Sequence, residues 1–134
     1  MADNETLIIE RYLQTLFSTD TALLAIIGDR AFNKTAPQSE RRTCVIFAFL
    51  TGNDENLIGC AGIVSMNYKI VASGEIGKPE IQTAASRVNQ LLSNLHTTSE
   101  GLLIRCKRST PFSDESNSEG IQYEDVGGIY EFWV

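Results

Sequence analysis

Apolar residues recur along this chain with two periods, and the change of period marks its elements. Between Pro79 and Thr97, Ile81, Ala84, Ala85, Val88, Leu91, Leu92 and Leu95 fall on one face at helical spacing. Gln82, Thr83, Ser86, Arg87, Asn89, Gln90, Ser93 and Asn94 cover the other face. Pro79 suits the first helical position, where its missing N–H costs nothing, and Glu80 meets the positive end of the helix dipole. The spacing predicts a helix over 79–97. A second helical pattern covers 4–17, with Asp3 or Asn4 as cap and Leu7, Ile8, Tyr12, Leu13, Leu16 and Phe17 as its apolar face. Asp20 reads as the cap of a short helix over 20–28, and Gly28 as its stop.

Alternation of period two predicts strands over 43–50, 60–73, 101–108 and 121–134. In the first, Val45, Phe47 and Phe49 oppose Cys44, Ile46, Ala48 and Leu50, so both faces are apolar and the strand reads as central and well covered. In the second, Val64, Met66, Tyr68, Ile70 and Ala72 alternate with polar residues, and the length suggests an arm projecting past the sheet. Leu102, Ile104 and Cys106 oppose Leu103, Arg105 and Lys107 in the third. The last carries Tyr130, Phe132 and Val134 on one side, and Gly127-Gly128 marks a break or a bulge. Residues 29–32 lead into a short extended piece. Gly52-Asn53-Asp54 reads as a turn, and the Ser-, Asp- and Glu-rich stretch 110–119 as a loop. The expected fold is α+β: an antiparallel or mixed sheet of about four to five strands with helices packed on one face. Residues 1–134 are expected to form a single domain, with N-terminal helices over 4–28 and a sheet-and-helix core over 43–134.

Composition narrows the function classes more than it selects one. The net charge of −6 argues against a nucleic-acid-binding face or an anionic membrane surface. No apolar run approaches the roughly 20 residues that span a bilayer. Met1-Ala2-Asp3-Asn4-Glu5 is polar and acidic, unlike a signal peptide, so a cytoplasmic protein is expected. Cys44, Cys60 and Cys106 lack the paired spacing of a disulfide framework or a zinc site and read as buried thiols.

The search for chemistry returns no catalytic residue, no cofactor site and no metal site. His96 is the only histidine and reads as a last-turn residue favourable to the helix dipole. Gly74-Glu75-Ile76-Gly77 lacks the lysine and spacing of a phosphate loop and reads as a turn. Asp114, Glu115, Glu119, Glu124 and Asp125 lack calcium-loop spacing and read as a solvated acidic stretch. Charge is nonetheless segregated. Arg30, Lys34, Arg41 and Arg42 crowd one segment against a single acid, Glu40, while 110–125 carries five acids and no base. The basic segment reads as a solvating surface or, alternatively, as contact with an acidic patch on another subunit.

The layout resembles the tail-completion, or tail terminator, proteins of tailed bacteriophages. The matching stretches are Leu23-Leu24-Ala25-Ile26-Ile27-Gly28-Asp29-Arg30-Ala31-Phe32, the loop with Ala36-Pro37-Gln38, and the strand Cys44-Val45-Ile46-Phe47, followed by a long strand, one amphipathic helix and a closing strand pair. Family members often carry a proline before the first main strand, where this chain has Arg41-Arg42-Thr43. The resemblance implies a small α+β virion protein, not an enzyme. Such proteins assemble in the host cytoplasm as a hexameric homo-oligomeric ring at the head-proximal end of the tail tube. A ring implies head-to-tail contacts, and the two charged segments are then its candidate halves, with Arg30, Lys34, Arg41, Arg42, Asp114, Glu115 and Glu119 as interface residues; the alternatives are that both segments solvate the surface, or that the acidic one faces the neck partner or the lumen. The implied partners are further copies of the chain, the tail tube protein and a neck or connector protein. DNA is only cargo through the lumen, and no membrane is involved. The alternatives are another neck protein, such as a head-completion or tail-to-head joining factor, or a small-ligand-binding domain of ferredoxin-like type.

Overall fold

The structure, a computed structural model, describes residues 2–36, 42–55, 63–118 and 120–133. Among them run three helices and six strands: α1 (Ala2–Thr19), α2 (Thr21–Ile27), β1 (Ala31–Asn33), β2 (Cys44–Glu55), β3 (Ile63–Glu75), α3 (Pro79–Leu92), β4 (Leu95–Ser99), β5 (Leu102–Ser118) and β6 (Ile121–Trp133). The strands form one mixed sheet in the order β1-β2-β3-β6-β5-β4. Only β1 and β2 are parallel; the remaining neighbours are antiparallel. The fold is thus α+β as expected, with six strands where four to five were anticipated.

All three helices contribute to one core on one face of the sheet. Ile9, Leu13 and Phe17 of α1, Leu23 and Ile27 of α2, and Ile81, Ala84, Val88 and Leu92 of α3 are buried against Val45, Phe47, Met66, Tyr68, Ile70, Tyr130 and Phe132. Phe17 meets Phe47 edge-on at 5.9 Å, and Tyr68 meets Phe132 at 5.5 Å, the T-shaped geometry that aromatic quadrupoles favour. The α1 stripe is rotated from the expected one: Ile9 is buried and Leu7 is 49% exposed. Three consecutive apolar residues, Leu7-Ile8-Ile9, leave that choice open in the sequence, and packing settles it.

The local signals for α2 and α3 act as written. Asp20 caps α2 by accepting from the Leu23 N–H at 3.0 Å, and Gly28 ends it at φ 59°. The Asp20 carboxylate also receives a two-pronged ion pair from Arg87 of α3, at 2.9 and 2.7 Å, so one cap locks two helices together. Those hydrogen bonds hold the Asp20 carboxyl below its ordinary range, outweighing a burial effect of opposite sign.

Several boundaries differ from expectation, each for a physical reason. Helix α1 begins at Ala2, so Asp3 and Asn4 lie inside it and do not cap it. Helix α3 stops at Leu92: Asn94 turns the chain at φ 60°, and Leu95–Ser99 pairs with β5. His96 therefore sits in strand β4, opposite Arg105, and not in a last helical turn. The supposed turn at 52–54 continues β2 to Glu55, and the supposed loop 110–119 is strand to Ser118. Strand β3 does not project past the sheet; it pairs with β2 on one side and β6 on the other. Gly127-Gly128 is no break, because β6 keeps its register with β3 across it; the irregularity lies in β5 between Arg108 and Thr110. A Cβ on Gly127 would stand 2.1 Å from the Ile70 carbonyl oxygen, so the pair is glycine because the strands approach too closely for a side chain.

Among the described residues, no helix packs on the second face of the sheet. On that side Ile46 and Ala48 are half-buried and Leu103 is 44% exposed, so β2 is not covered on both faces. Lys69 and Lys107 cover part of this face with cation–π contacts to Phe112 and Trp133, at 5.0 and 5.3 Å from the ring centroids.

Candidate subunit interface

The sheet has two lateral borders, and the segregated charges fall on opposite ones. At the first border β1 covers only Val45–Phe47 of β2, so the β2 backbone over 48–55 is without a strand partner on that side among the described residues. Arg30, just before β1, is half-buried and built into the fold. Its Nε donates to the Thr43 carbonyl at 2.9 Å and its Nη2 to the Ile26 carbonyl at 3.1 Å, tying the end of α2 to the start of β2. Its charge remains at the border, so its role is structural as well as electrostatic. Lys34 is exposed at the end of β1, at φ 75°. Arg42 is exposed beside the start of β2, and Arg41 lies outside the described residues.

The second border is β5. Strand β4 covers only Leu102–Cys106, and residues 107–118 have no strand partner on their outer side among the described residues. Pro111 lies in this stretch, where an edge strand tolerates a residue without an N–H. Asp114 and Glu115 are exposed there, directly opposite Asp125 and Glu124 of β6. Like charges facing each other across a strand pair are destabilising. Asp114 spends one carboxylate oxygen on the Glu115 N–H at 2.9 Å. Glu119 lies outside the described residues.

Register relates the two borders. Cys44 pairs with Ser73, Ser73 with Asp125, and Asp125 with Asp114, so one row of the sheet runs from the basic border to Asp114. The next row runs through Gly74, Glu124 and Glu115. Thr43 stands at its basic end, with its hydroxyl 3.2 Å from where a Gly74 Cβ would be. Three strand spacings put the borders about 14 Å apart.

At the basic end lies a cavity of about 360 Å³ lined by Arg30, Arg42, Thr43, Glu75, Lys78 and Glu80. Lys78 is the N-cap of α3 and makes no side-chain cap hydrogen bond, so the helix N-terminus that faces this region lacks a side-chain acceptor of its own. A second cleft, of about 370 Å³, lies between α3 and β5–β6 and is lined mainly by Gln82, Ser86, Asn89, Gln90 and Arg108. Beside it the Tyr130 hydroxyl donates to Asn89 Oδ1 at 3.2 Å, and burial pushes the phenol up to about 12 despite nearby Arg108. Burial also pushes the Cys106 thiol up, so both groups are neutral at pH 7 and neither is an activated nucleophile. Cys44 is buried as well, and Cys60 lies outside the described residues. Among the described residues, no three His, Cys, Asp or Glu side chains group as metal ligands, and no helix is long and apolar enough to cross a membrane.

The sequence thus names the charged residues of both borders. It misses the cavity residues Thr43 and Lys78, and the row through Gly74, Glu124 and Glu115, because register is invisible without the pairing.

No family model and no curated protein matches this chain. Among solved structures, one chain whose name states no function aligns with a TM-score of 0.59 over 99% of this chain and 94% of its own, at 12% identity. At that identity the likeness concerns the fold alone.

Proposed function

We propose that this protein is a structural subunit that associates head to tail with copies of itself, closing into a ring of the bacteriophage tail-terminator type. The observation that carries the reading is the opposition of charge across one sheet. Basic Arg30, Lys34 and Arg42 belong to one border, and acidic Asp114 and Glu115 to the other. A contact between two different patches of one chain is heterologous, and repetition closes a ring when its rotation divides the circle. Both borders also expose strand backbone, and β5 runs opposite in direction to β2, so adjacent copies can extend the sheet in antiparallel fashion. The specific placement at the head-proximal end of a tail tube, with tube and neck proteins as partners, rests on the sequence resemblance. In this reading the chain performs no catalysis.

The test is solution mass and particle shape at low salt. Closed rings of one size in sedimentation and electron microscopy are the expected result, weakened by Arg42→Glu with Lys34→Glu and restored when these are mixed with Asp114→Lys. A protein that remains monomeric at high concentration, or forms open fibres, overturns the ring. Closed rings that do not stop polymerising tail tubes overturn the terminator role alone.

A further inference from the structure

We infer that the helix-free face of the sheet is a docking surface, and that its occupant is the same face of a second copy of this chain, packed back to back about a two-fold axis across the strands. The inference goes beyond the head-to-tail reading, because it uses a face of the sheet and not its borders. Register places Phe32, Ile46, Val71, Gly127 and Phe112 in one row that crosses five strands. The row lies on the face that no described helix covers, together with Ile129 and Trp133. Val71 is 2% exposed, and Phe32, Ile46, Phe112, Ile129 and Trp133 are half-buried. A sheet face that meets only water alternates to polar residues, whereas this one carries an apolar band from border to border.

Charge identifies the occupant. On this face β5 and β6 carry bases towards one end and acids towards the other: Arg105 pairs with Trp133 and Lys107 with Glu131, whereas Asp114 pairs with Asp125. The midpoint between the Lys107 row and the Asp114 row is Gly128 of β6. A two-fold axis there, perpendicular to the strands and parallel to the sheet, reverses the strand direction and lays Lys107 of each copy over Asp114 of the other. The same operation sets Ile46 against Ala48 and Trp133 against Tyr123, and it seats Ile129 over Gly127, where no side chain competes for the space. Lys69 meets Val71 with its methylene stem, because its ammonium is held over the Phe112 ring at 5.0 Å. Glu131 approaches Asp125, the one like-charged pair of the contact. Glu131 already accepts from the Ser65 hydroxyl at 2.9 Å, and Lys107 stands beside it in its row. A face whose charge reverses end to end around an apolar band is complementary to itself, and the partner that matches it is a second copy.

The experiment measures self-association of the full chain by sedimentation, beside thermal melting of each variant. Lys107→Glu, at an exposed position outside both borders' basic and acidic sets, is expected to weaken association by about tenfold or more, because it sets acid against Asp114 at both ends of the contact. Mixing Lys107→Glu with Asp114→Lys should restore association between the two variants. A second measurement is independent of charge. Thr110 is exposed and pairs with Ile129 beside the axis, so its counterpart in the copy lies across a sheet-to-sheet gap of about 10 Å. Thr110→Cys treated with a short bismaleimide is expected to give a covalent dimer that is absent from the wild type and from Ser113→Cys, which lies on the helix-bearing face. No covalent dimer from Thr110→Cys, or association unchanged in Lys107→Glu, overturns this contact and leaves the head-to-tail reading standing. A wild type that never associates overturns both.

Discussion

The two borders of the sheet are built on different principles. At the basic border β1 and the start of β2 are tied inward: Arg30 clamps Ile26 and Thr43, Gln14 of α1 donates to the Ala31 carbonyl at 3.2 Å, and Asn33 donates to Glu10. The charge of Arg30 there belongs to a brace. At the acidic border β5 runs on past β4 with acids facing acids, and Asn117 and Asp114 bond only to backbone nearby in sequence. This stretch exposes its backbone among the described residues and sets acids opposite acids, which the basic border does not.

The largest way to break this contrast is at the narrowest point of the acidic side. Gly127 holds β6 so close to β3 that any side chain meets the Ile70 carbonyl at 2.1 Å and the Val71 Cα at 2.7 Å, both backbone atoms that cannot swing aside. Gly127→Ala should cost about 1–3 kcal/mol or more, the range for overpacking, measured by urea denaturation. If the loss is near zero, β6 is not tightly held, and the acidic border is loose along its whole length.

A smaller effect sharpens the basic side. Asp20 caps the helix that leads into that border, and Arg87 keeps its carboxyl below the ordinary range. A depressed carboxyl stabilises the fold above its unfolded value, about pH 4, and that stabilisation is lost as pH falls through the folded value. Asp20→Asn keeps a capping acceptor and removes the charge. It should melt lower than wild type at pH 7, with the gap closing progressively below about pH 4. Asp20→Ala should lose the cap as well, about 1 kcal/mol more. A gap independent of pH would mean the ion pair does not hold α2 to α3.

How much of this was legible in the residues follows from the range of the interactions. The Asp20 cap, the Gly28 stop and the Pro79 start are decided within one turn of chain, and the sequence states them. Strand β4 is hidden because Leu95 continues the helical period of α3 by coincidence, and only Asn94 at positive φ breaks it. The acidic half of β5 has the composition of a loop. It is a strand because β6 supplies a hydrogen-bond ladder, a tertiary effect that overrides weak local propensity. The segregation of charge between the two borders could be read from the sequence alone. The row that joins Cys44 to Asp114 could not, since register has no signature along the chain.

The smallest effect is also the one that separates repulsion within a subunit from attraction between subunits. Glu124 and Glu115 face each other across β6 and β5, and Glu124 is only half-exposed. Glu124→Gln removes the repulsion while leaving both exposed acids of β5, Asp114 and Glu115, intact. The isolated monomer should gain about 0.2–1 kcal/mol at low ionic strength, the scale of cross-strand pair effects. The gain should shrink as salt rises to physiological levels, where the screening length falls to about 8 Å. Glu115→Gln should stabilise the monomer by a similar amount, because it relieves the same pair. The two variants should then part in assembly: Glu115→Gln weakens self-association, and Glu124→Gln leaves it nearly unchanged. Paired melting and sedimentation data on these two substitutions decide the matter. If both variants associate alike, the acids of β5 act as a diffuse field. If only Glu115→Gln fails, the acidic border works through one carboxylate and not through its net charge.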